Sequence, residues 1–247
     1  MNSNFSNKIS IVIPVLNEHK FLLLIIKKLI FEISSRFKFY EIIIIDDSNN
    51  YLASKRILNN FKNVFFFKNI KKGLLNSIKY GVSKTNSDNI VVMDGDLSHD
   101  LKMLDLIKKK YLQYDLINFS RFIKKGTDKR TYKKSGPLKY YSYFINKILI
   151  FLITPKLTDY TCGYFFFKKK KINNSFFLGD YGEYSIFFLY NCIKKKFKFK
   201  EYPCYFYDRK AGQSKTGLTN FKIIIKGIKY IKIAIVILLS KNKLLIN

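Results

Sequence analysis

Five short runs in the first half of this chain constrain its fold more than any other feature. "SIVIPV" (10–15), "EIIIID" (41–46), "VFFF" (64–67), "IVVMD" (90–94) and "LINFS" (116–120) are β-branched or aromatic and largely apolar on both faces. A strand with one wet face alternates polar and apolar residues, whereas a strand covered on both faces does not. The segments between the runs, 18–35, 51–60, 73–84 and 100–111, are long enough for crossover helices. Strand, helix, strand, repeated four times, predicts an open, doubly wound, mostly parallel α/β sheet. At 247 residues the chain fits one large domain with at most an appendage.

Ligands of such sheets bind just beyond the carboxyl ends of the strands. Asn17-Glu18 follow the first run, Asp46-Asp47 the second, and the Gly73 loop lies beyond the third; Asp94-Gly95-Asp96 follows the fourth and Arg121 the fifth. Acids are scarce, 17 Asp+Glu against 46 Lys+Arg, so their gathering at three of five ends points to a site. Asp94 and Asp96 alternate along an extended segment and can present oxygens together, and Gly95 leaves room for a ligand to approach. Hard oxygen donors without neighbouring Cys or His ligands favour Mg²⁺ or Mn²⁺, which keep waters and bind substrate phosphates. The plainer reading is a solvated acidic turn capping a helix. Asp46 and Asp47 suit a base or ribose, or equally a helix cap. Glu18 opens a helix, where a carboxylate complements the dipole anyway.

Other chemistries find little support. Three cysteines without a CxxC pair and only two histidines argue against zinc and for a reduced, cytosolic setting. "GQSKTGL" (212–218) puts Leu218 where a phosphate-binding loop needs lysine, and His99-Asp100 has no serine elbow. The start lacks a signal peptide's basic region and cleavage site, and no uncharged apolar run approaches the ~18 residues of a spanning helix. The formal charge of +29 suits an anionic partner, whether nucleic acid, membrane surface or phosphorylated substrate, or a lysine-rich solvated surface.

"IVIPVLNE", "YEIIIIDDS" and "IVVMDGDLSHD" resemble family 2 glycosyltransferases of the GT-A fold, and the nearest branch is the dolichyl- or polyprenyl-phosphate mannose synthases. Further along, "INFSRF" (117–122), "SYFIN" (142–146), "LTDYTCGYFFFKKK" (157–170) and "EYPCYFYDRKAGQSK" (201–215) resemble that branch in the same order. The likeness covers roughly residues 8–230. It implies a nucleotide-sugar half (8–125), an acceptor half (126–220) and a C-terminal amphipathic helix (221–247). Pro14, Glu18, Asp46, Asp47 and Asp94 would hold the nucleotide sugar; Asp94 and Asp96 would bind Mg²⁺ or Mn²⁺, with Ser98 nearby. Asp94, Asp96 and Arg121 form the implied catalytic set. Arg209, Ser214 and Lys215, with Lys139 and Ser142, would meet the acceptor or its phosphate. The chain departs from the branch at "DDSNNYLA" (46–53), which lacks its glycines and third acid, and at Phe165 and Leu138, which replace arginines.

The implied reaction moves a hexose, mannose in that branch, from a GDP- or UDP-sugar to a polyprenyl or dolichyl phosphate with inversion. A lipid phosphate is already ionised and needs no general base. A hydroxyl acceptor, as in surface polysaccharide or glycan synthesis, would need one, for which Asp180 or Glu183 could serve. The basic excess fits such an acceptor. Ser135, Lys139, Ser142 and Asn146 share one helical face, as do Lys222, Lys226, Lys229 and Lys232. Basic amphipathic helices of this kind lie on an anionic bilayer, here its cytoplasmic face, or pack against the sheet. A basic nucleic-acid-binding protein is the rival from another class, but the aromatics sit in apolar runs and no recognition motif is present. A sugar-nucleotide binder without turnover is a third reading.

Overall fold

The structure, a computed structural model, describes residues 8–49, 55, 61–131, 138–209 and 220–242. The first half runs β1 (Ile9–Val15), α1 (His19–Ser34), β2 (Tyr40–Asp46), β3 (Val64–Lys68), α2 (Leu74–Lys84), β4 (Asn89–Val92), α3 (Met103–Lys110) and β5 (Leu116–Ser120). All five expected strands are present. Three of the four crossover helices are as well; the fourth, over 51–60, lies outside the described residues apart from Lys55. The second half adds β6 (Thr127–Asp128), α4 (Leu138–Leu152), β7 (Phe165–Lys168), α5 (Tyr184–Lys194), β8 (Phe199–Pro203), β9 (Tyr205–Phe206) and α6 (Asn220–Asn242).

The main sheet has seven strands in the order β3-β2-β1-β4-β7-β5-β8, and β6 pairs with β9 in a small second sheet. β1 to β4 are parallel, as is β5 with β8, but β7 runs antiparallel to both β4 and β5. The fifth apolar run therefore does not sit beside the fourth, because Phe165–Lys168 is wedged between them. The wedge is driven by burial. Phe166 enters the core layer shared with α1 and α3, while Phe165 and Phe167 enter the layer under α2, α4 and α5. Three consecutive aromatics buried on alternate faces suit a central strand.

The two layers follow from the strand period of two. Ile11, Ile13 and Val15 pack with Leu22, Ile25, Ile26 and Leu29 of α1, while Val12 faces the opposite layer. There α2 approaches closely. A Cβ on Gly81 would lie 2.5 Å from Val12 Cγ1 and 3.1 Å from Ile45 Cγ1, so the helix can rest on β1 and β2 only with glycine at the contact.

The C-terminal helix is not an appendage on its inner face. Ile233, Ala234 and Ile237 are buried in the same layer as Leu149 and Phe188, while Ile228, Ile235, Val236 and Leu239 are exposed. α4 is similarly divided. Of its expected polar stripe, Ser135 lies outside the described residues, Ser142 lines the cleft, and Asn146 is buried, donating to the Thr158 carbonyl and accepting from the Tyr160 N–H at 2.8 Å. Tyr140, Tyr143, Phe144 and Phe151 face outward, Phe151 being 88% exposed.

Substituting Gly81→Val should lower stability by about 1–3 kcal/mol, since a branched side chain must displace buried Val12. The urea midpoint at unchanged slope measures this; an unaltered midpoint would show that α2 does not press on the sheet.

Candidate active site

The carboxyl ends of β1, β2, β4 and β5 open onto one cleft of about 920 Å³. Its first wall is built from turns that bind one another. Asp47 N–H donates to the Val15 carbonyl at 2.9 Å, and Asn69 N–H to the Asp46 carbonyl at 2.8 Å. Asn17, at φ 58°, donates its N–H to Ser48 Oγ at 2.6 Å. The Asp47 carboxylate is held from behind by Asn69 Nδ2 (3.1 Å) and Gly73 N–H (2.9 Å), and it lines the cleft with Pro14, Glu18 and Lys72. Asp46 departs from expectation. It is fully buried, accepts the Ser48 N–H at 2.8 Å, and is not part of the lining. Its role is to shape the turn that presents Asp47.

The second wall is the Asp94-Gly95-Asp96 turn. The Asp94 side chain is 40% exposed and lines the cleft. Asp96 is buried; one oxygen accepts the Ser98 N–H at 2.9 Å and the other faces Arg209 Nε at 3.0 Å. Gly95 is required for a reason other than ligand access. A Cβ there would meet Val15 Cγ1 at 2.9 Å, Ile13 Cγ2 at 3.0 Å and Glu18 Oε2 at 3.2 Å, so the turn is pressed against β1. The next residue, Leu97, takes φ 60°, a left-handed conformation that a non-glycine residue adopts only under tertiary constraint. Ser98 stands behind Asp96 rather than in the lining, and its carbonyl accepts the Tyr207 N–H at 2.8 Å.

His99 supports this turn. Its Nδ1 accepts the Asp94 N–H at 3.1 Å, which places the ring proton on Nε2, 3.1 Å from the Cys162 carbonyl. The ring stacks on Tyr164 at 4.8 Å. The sequence offered His99 only as a triad member without a serine; its use is to hold the Asp94 backbone.

Arg209 reaches this wall from beyond β9. Burial works against its charge, but Asp96, Asp94 and Glu18 outweigh the penalty and hold its pKa above the ordinary arginine value. Around it Glu18, Asp47, Asp94, Asp96 and Asp208 line the cleft with Lys72 and Arg209, and the whole lining sets six carboxylates against five cations; a divalent cation would relieve the repulsion among the clustered carboxylates. Among the described residues no three His, Cys, Asp or Glu side chains are grouped to cage an ion. Two neighbouring carboxylates nevertheless fit Mg²⁺ or Mn²⁺, whose remaining positions go to water and substrate phosphate. Asp96 keeps acceptor capacity beyond its two present contacts.

The acceptor side is organised by Arg121. Its guanidinium binds Asp159 through Nε (2.8 Å) and Nη2 (2.9 Å), donates to Thr161 Oγ1 at 2.7 Å, and lies between Phe122 and Phe206. Burial disfavours its charge, yet Asp159 outweighs that and raises its pKa. Arg121 lines the cleft with much of its donor capacity already engaged by the protein. Arg130, Ser142, Asp180 and Tyr230 complete this side. Lys139 is half-buried on α4 and is not part of the lining. Ser214 and Lys215 lie outside the described residues.

Two candidate bases fare differently. Asp180 is exposed and clasped by Lys229 Nζ at 2.9 Å to each oxygen; hydrogen bonding with Glu183 and with Lys229 holds it below the usual carboxylate range. Burial pushes Glu183 upward, but its carboxylate accepts the Asp180 N–H and does not line the cleft.

The model of the glycosyl transferase family 2 domain matches residues 10–176, more than half of the chain. The chain belongs to that family. A relative, the undecaprenyl-phosphate 4-deoxy-4-formamido-L-arabinose transferase of Shewanella sediminis, is 28% identical over 160 residues; the match takes in 62% of this chain and 46% of the relative, so the chain spans about half of the relative's length. Among solved structures, glucosyl-3-phosphoglycerate synthase from Mycobacterium tuberculosis with Mn²⁺, UDP and phosphoglyceric acid superposes with a TM-score of 0.67 at 12% identity, covering 92% of this chain and 77% of that one. The same enzyme with Mg²⁺ and UDP gives 0.64 at 12% identity, over 92% and 78%. The family 2 chain thus has the GT-A-like α/β fold that its motifs imply.

Sequence reasoning missed Arg130, Asp128 and Tyr230 as neighbours of the site. Arg130 and Asp128 lie only two residues apart in the chain, a spacing that could have suggested a local ion pair.

Replacing Asp159 with alanine would leave the Arg121 charge buried without its main partner. A loss of about 3–5 kcal/mol is expected, read as a lowered urea midpoint. A loss below about 1 kcal/mol, the worth of an exposed pair, would contradict the burial of Arg121.

Proposed function

We propose that this family 2 protein transfers a hexose from a nucleotide sugar to a polyprenyl phosphate. The observation that carries the reading is one cleft with a carboxylate wall and an arginine wall, lined in part by two helices that also expose apolar residues. Pro14, Glu18 and Asp47 receive the nucleoside, with Asp47 preset by Asn69 and Gly73. Asp94 and Asp96 face the diphosphate and would hold the metal. When bound, a divalent cation would withdraw charge from the departing diphosphate. Arg209 neutralises Asp96, and the surrounding carboxylates hold its pKa above the ordinary arginine value.

Neither of the two carboxylates that the sequence offers as a general base is set up as one among the described residues. Asp180 is spoken for by Lys229, and Glu183 is turned away from the cleft. That favours an acceptor that arrives ionised, as a phosphate does, over a hydroxyl. The chain's part is then to position two anionic substrates for in-line displacement, which inverts the anomeric carbon.

The lipid character of the acceptor draws on the outer faces. Tyr140, Phe144 and Phe151 of α4 and Ile228, Ile235 and Leu239 of α6 are exposed, with exposed Lys147 and Lys232 on the same helices. Among the described residues no helix is long and apolar enough to cross a membrane. Such faces suit a bilayer surface, the cytoplasmic one for a nucleotide-sugar enzyme, with the lysines meeting anionic headgroups. The relative's undecaprenyl-phosphate acceptor agrees with this class. Mannose from GDP-mannose is the donor that the motif resemblance favours, and the enzymes of like fold crystallised with UDP make UDP-hexoses the competing set.

Radiolabelled GDP-mannose, UDP-glucose and related donors should be offered with undecaprenyl phosphate and Mn²⁺. Label is expected in the lipid, and Asp94→Asn and Asp96→Asn should each lower the rate by about a hundredfold or more. Label appearing only in hydroxyl acceptors would overturn the acceptor class; full activity of both variants would overturn the role of the carboxylate turn.

A further inference from the structure

Two of the three cysteines, 42 residues apart in the chain, meet in the fold. Cys162 precedes β7 and lines the cleft, and Cys204 joins β8 to β9. Their sulfurs lie 3.9 Å apart, and both side chains are buried. Cys192 belongs to the opposite core layer, on α5, so the sheet keeps it from either of them.

A buried free cysteine is by default a small apolar side chain. This pair differs in three ways. The thiols touch each other. One of them borders the cleft, which gives a small solute a path to it. The Cys162 segment also has room to shift, because Gly163 takes φ 74° and a Cβ there would meet nothing within 4 Å. A disulfide needs its sulfurs at about 2.0 Å, so each must move by about 1 Å, a small turn about χ1 with a backbone adjustment.

We propose that Cys162 and Cys204 form a redox modification site, closed to a disulfide by a peroxide entering through the cleft and reopened by thiols. Cys162 Sγ attacks one peroxide oxygen and the O–O bond breaks, giving a sulfenic acid and one water. Cys204 Sγ then attacks Cys162 Sγ; the S–O bond breaks, the S–S bond forms and a second water leaves. The two thiols give two electrons to the peroxide, and their protons depart in the waters. The Cys204 contact and burial hold the Cys162 thiol above its ordinary pKa, with the Arg121 charge pulling the other way, so the pair reacts slowly and answers to sustained oxidation. Regulatory disulfides of reducing compartments are transient in this way.

The bond reaches both walls of the cleft. The Cys162 carbonyl lies 3.1 Å from His99 Nε2, and His99 Nδ1 holds the Asp94 N–H. Its neighbour Thr161 accepts from Arg121 at 2.7 Å. Cys204 is pinned by its N–H to the Ser120 carbonyl and by the Thr127 N–H to its own carbonyl, both at 3.0 Å. Closure therefore draws Cys162 toward Cys204 and displaces the segment that supports Asp94 and Arg121, which slows transfer. That consequence, unlike the bond itself, rests on the function proposed above.

The test treats the reduced full-length protein with hydrogen peroxide. Thiols titrated after denaturation should fall from three to one, a peptide mass map should show Cys162 joined to Cys204, and dithiothreitol should restore all three. Cys204→Ala should stop at a sulfenic acid on Cys162, trapped by dimedone without a cross-link, while Cys192→Ala should oxidise as wild type does. Oxidised wild type should lose about tenfold or more of its transfer rate and regain it with dithiothreitol. The double variant Cys162→Ala/Cys204→Ala should keep its own rate through the peroxide. Three thiols surviving in wild type, or a bond to Cys192 or to a second chain, overturns the proposal. A Cys162–Cys204 bond at unchanged transfer rate upholds the site and overturns its effect on the cleft. The same bond in a protein that transfers no sugar from any donor upholds the site and overturns the proposed function.

Discussion

The buried pair of Arg121 and Asp159 is the interaction on which the acceptor half depends. An arginine taken out of water is tolerated only when an opposite charge and hydrogen bonds replace its hydration. Asp159 supplies both, through a two-point contact, and Arg121 N–H adds a third bond at 3.1 Å to the same carboxylate. The pair ties the end of β5 to the segment entering β7, which is also the strand separating β5 from β4. Through Thr161 and Asp128 it extends to the cleft wall and to β6. A charge that the sequence suggests as a substrate ligand thus has a structural duty first.

On the opposite wall the logic is reversed. There carboxylates outnumber cations, and besides the Asp96–Arg209 pair the turns carrying them are held by hydrogen bonds to their backbone and side chains. Ser48 receives Asn17, Gly73 and Asn69 hold Asp47, and His99 holds the Asp94 amide. Left-handed Leu97, in a region that leucine rarely adopts, shows that the second turn is imposed by tertiary contacts, whereas Asn17 takes that conformation readily. A site that holds excess negative charge without ligand is preorganised for a cation and, through it, for a diphosphate. The two walls therefore have distinct electrostatic characters, one for the donor and one for an anionic acceptor.

Much of this was legible in the chain. Apolar runs on both faces mark β1 to β5, because burial on both sides leaves no polar alternation. Glu18, Asp47, Asp94 and Asp96 could be placed at strand ends because a parallel sheet brings every carboxyl end to one side. Asp46 could not be told from Asp47 by position alone. Adjacent residues leave a strand end on opposite sides, and only the register with Ser48 shows which one turns inward. Gly95 lines the cleft, and a second constraint on it, crowding against Ile13 and Val15, was not legible because their orientation follows from strand pairing.

The sequence by itself determined the parallel half-sheet, its acidic rim and the family, since these rest on local periodicity and on residues close together in the chain. Only the tertiary structure decided that β7 enters antiparallel between β4 and β5, that α6 buries one face in the domain and exposes the other, and that the Arg121 guanidinium is committed to Asp159. Each of those outcomes depends on which distant side chain reaches a charge or an apolar face first. Competition of that kind is settled by packing in three dimensions, and it leaves no periodic trace along the chain.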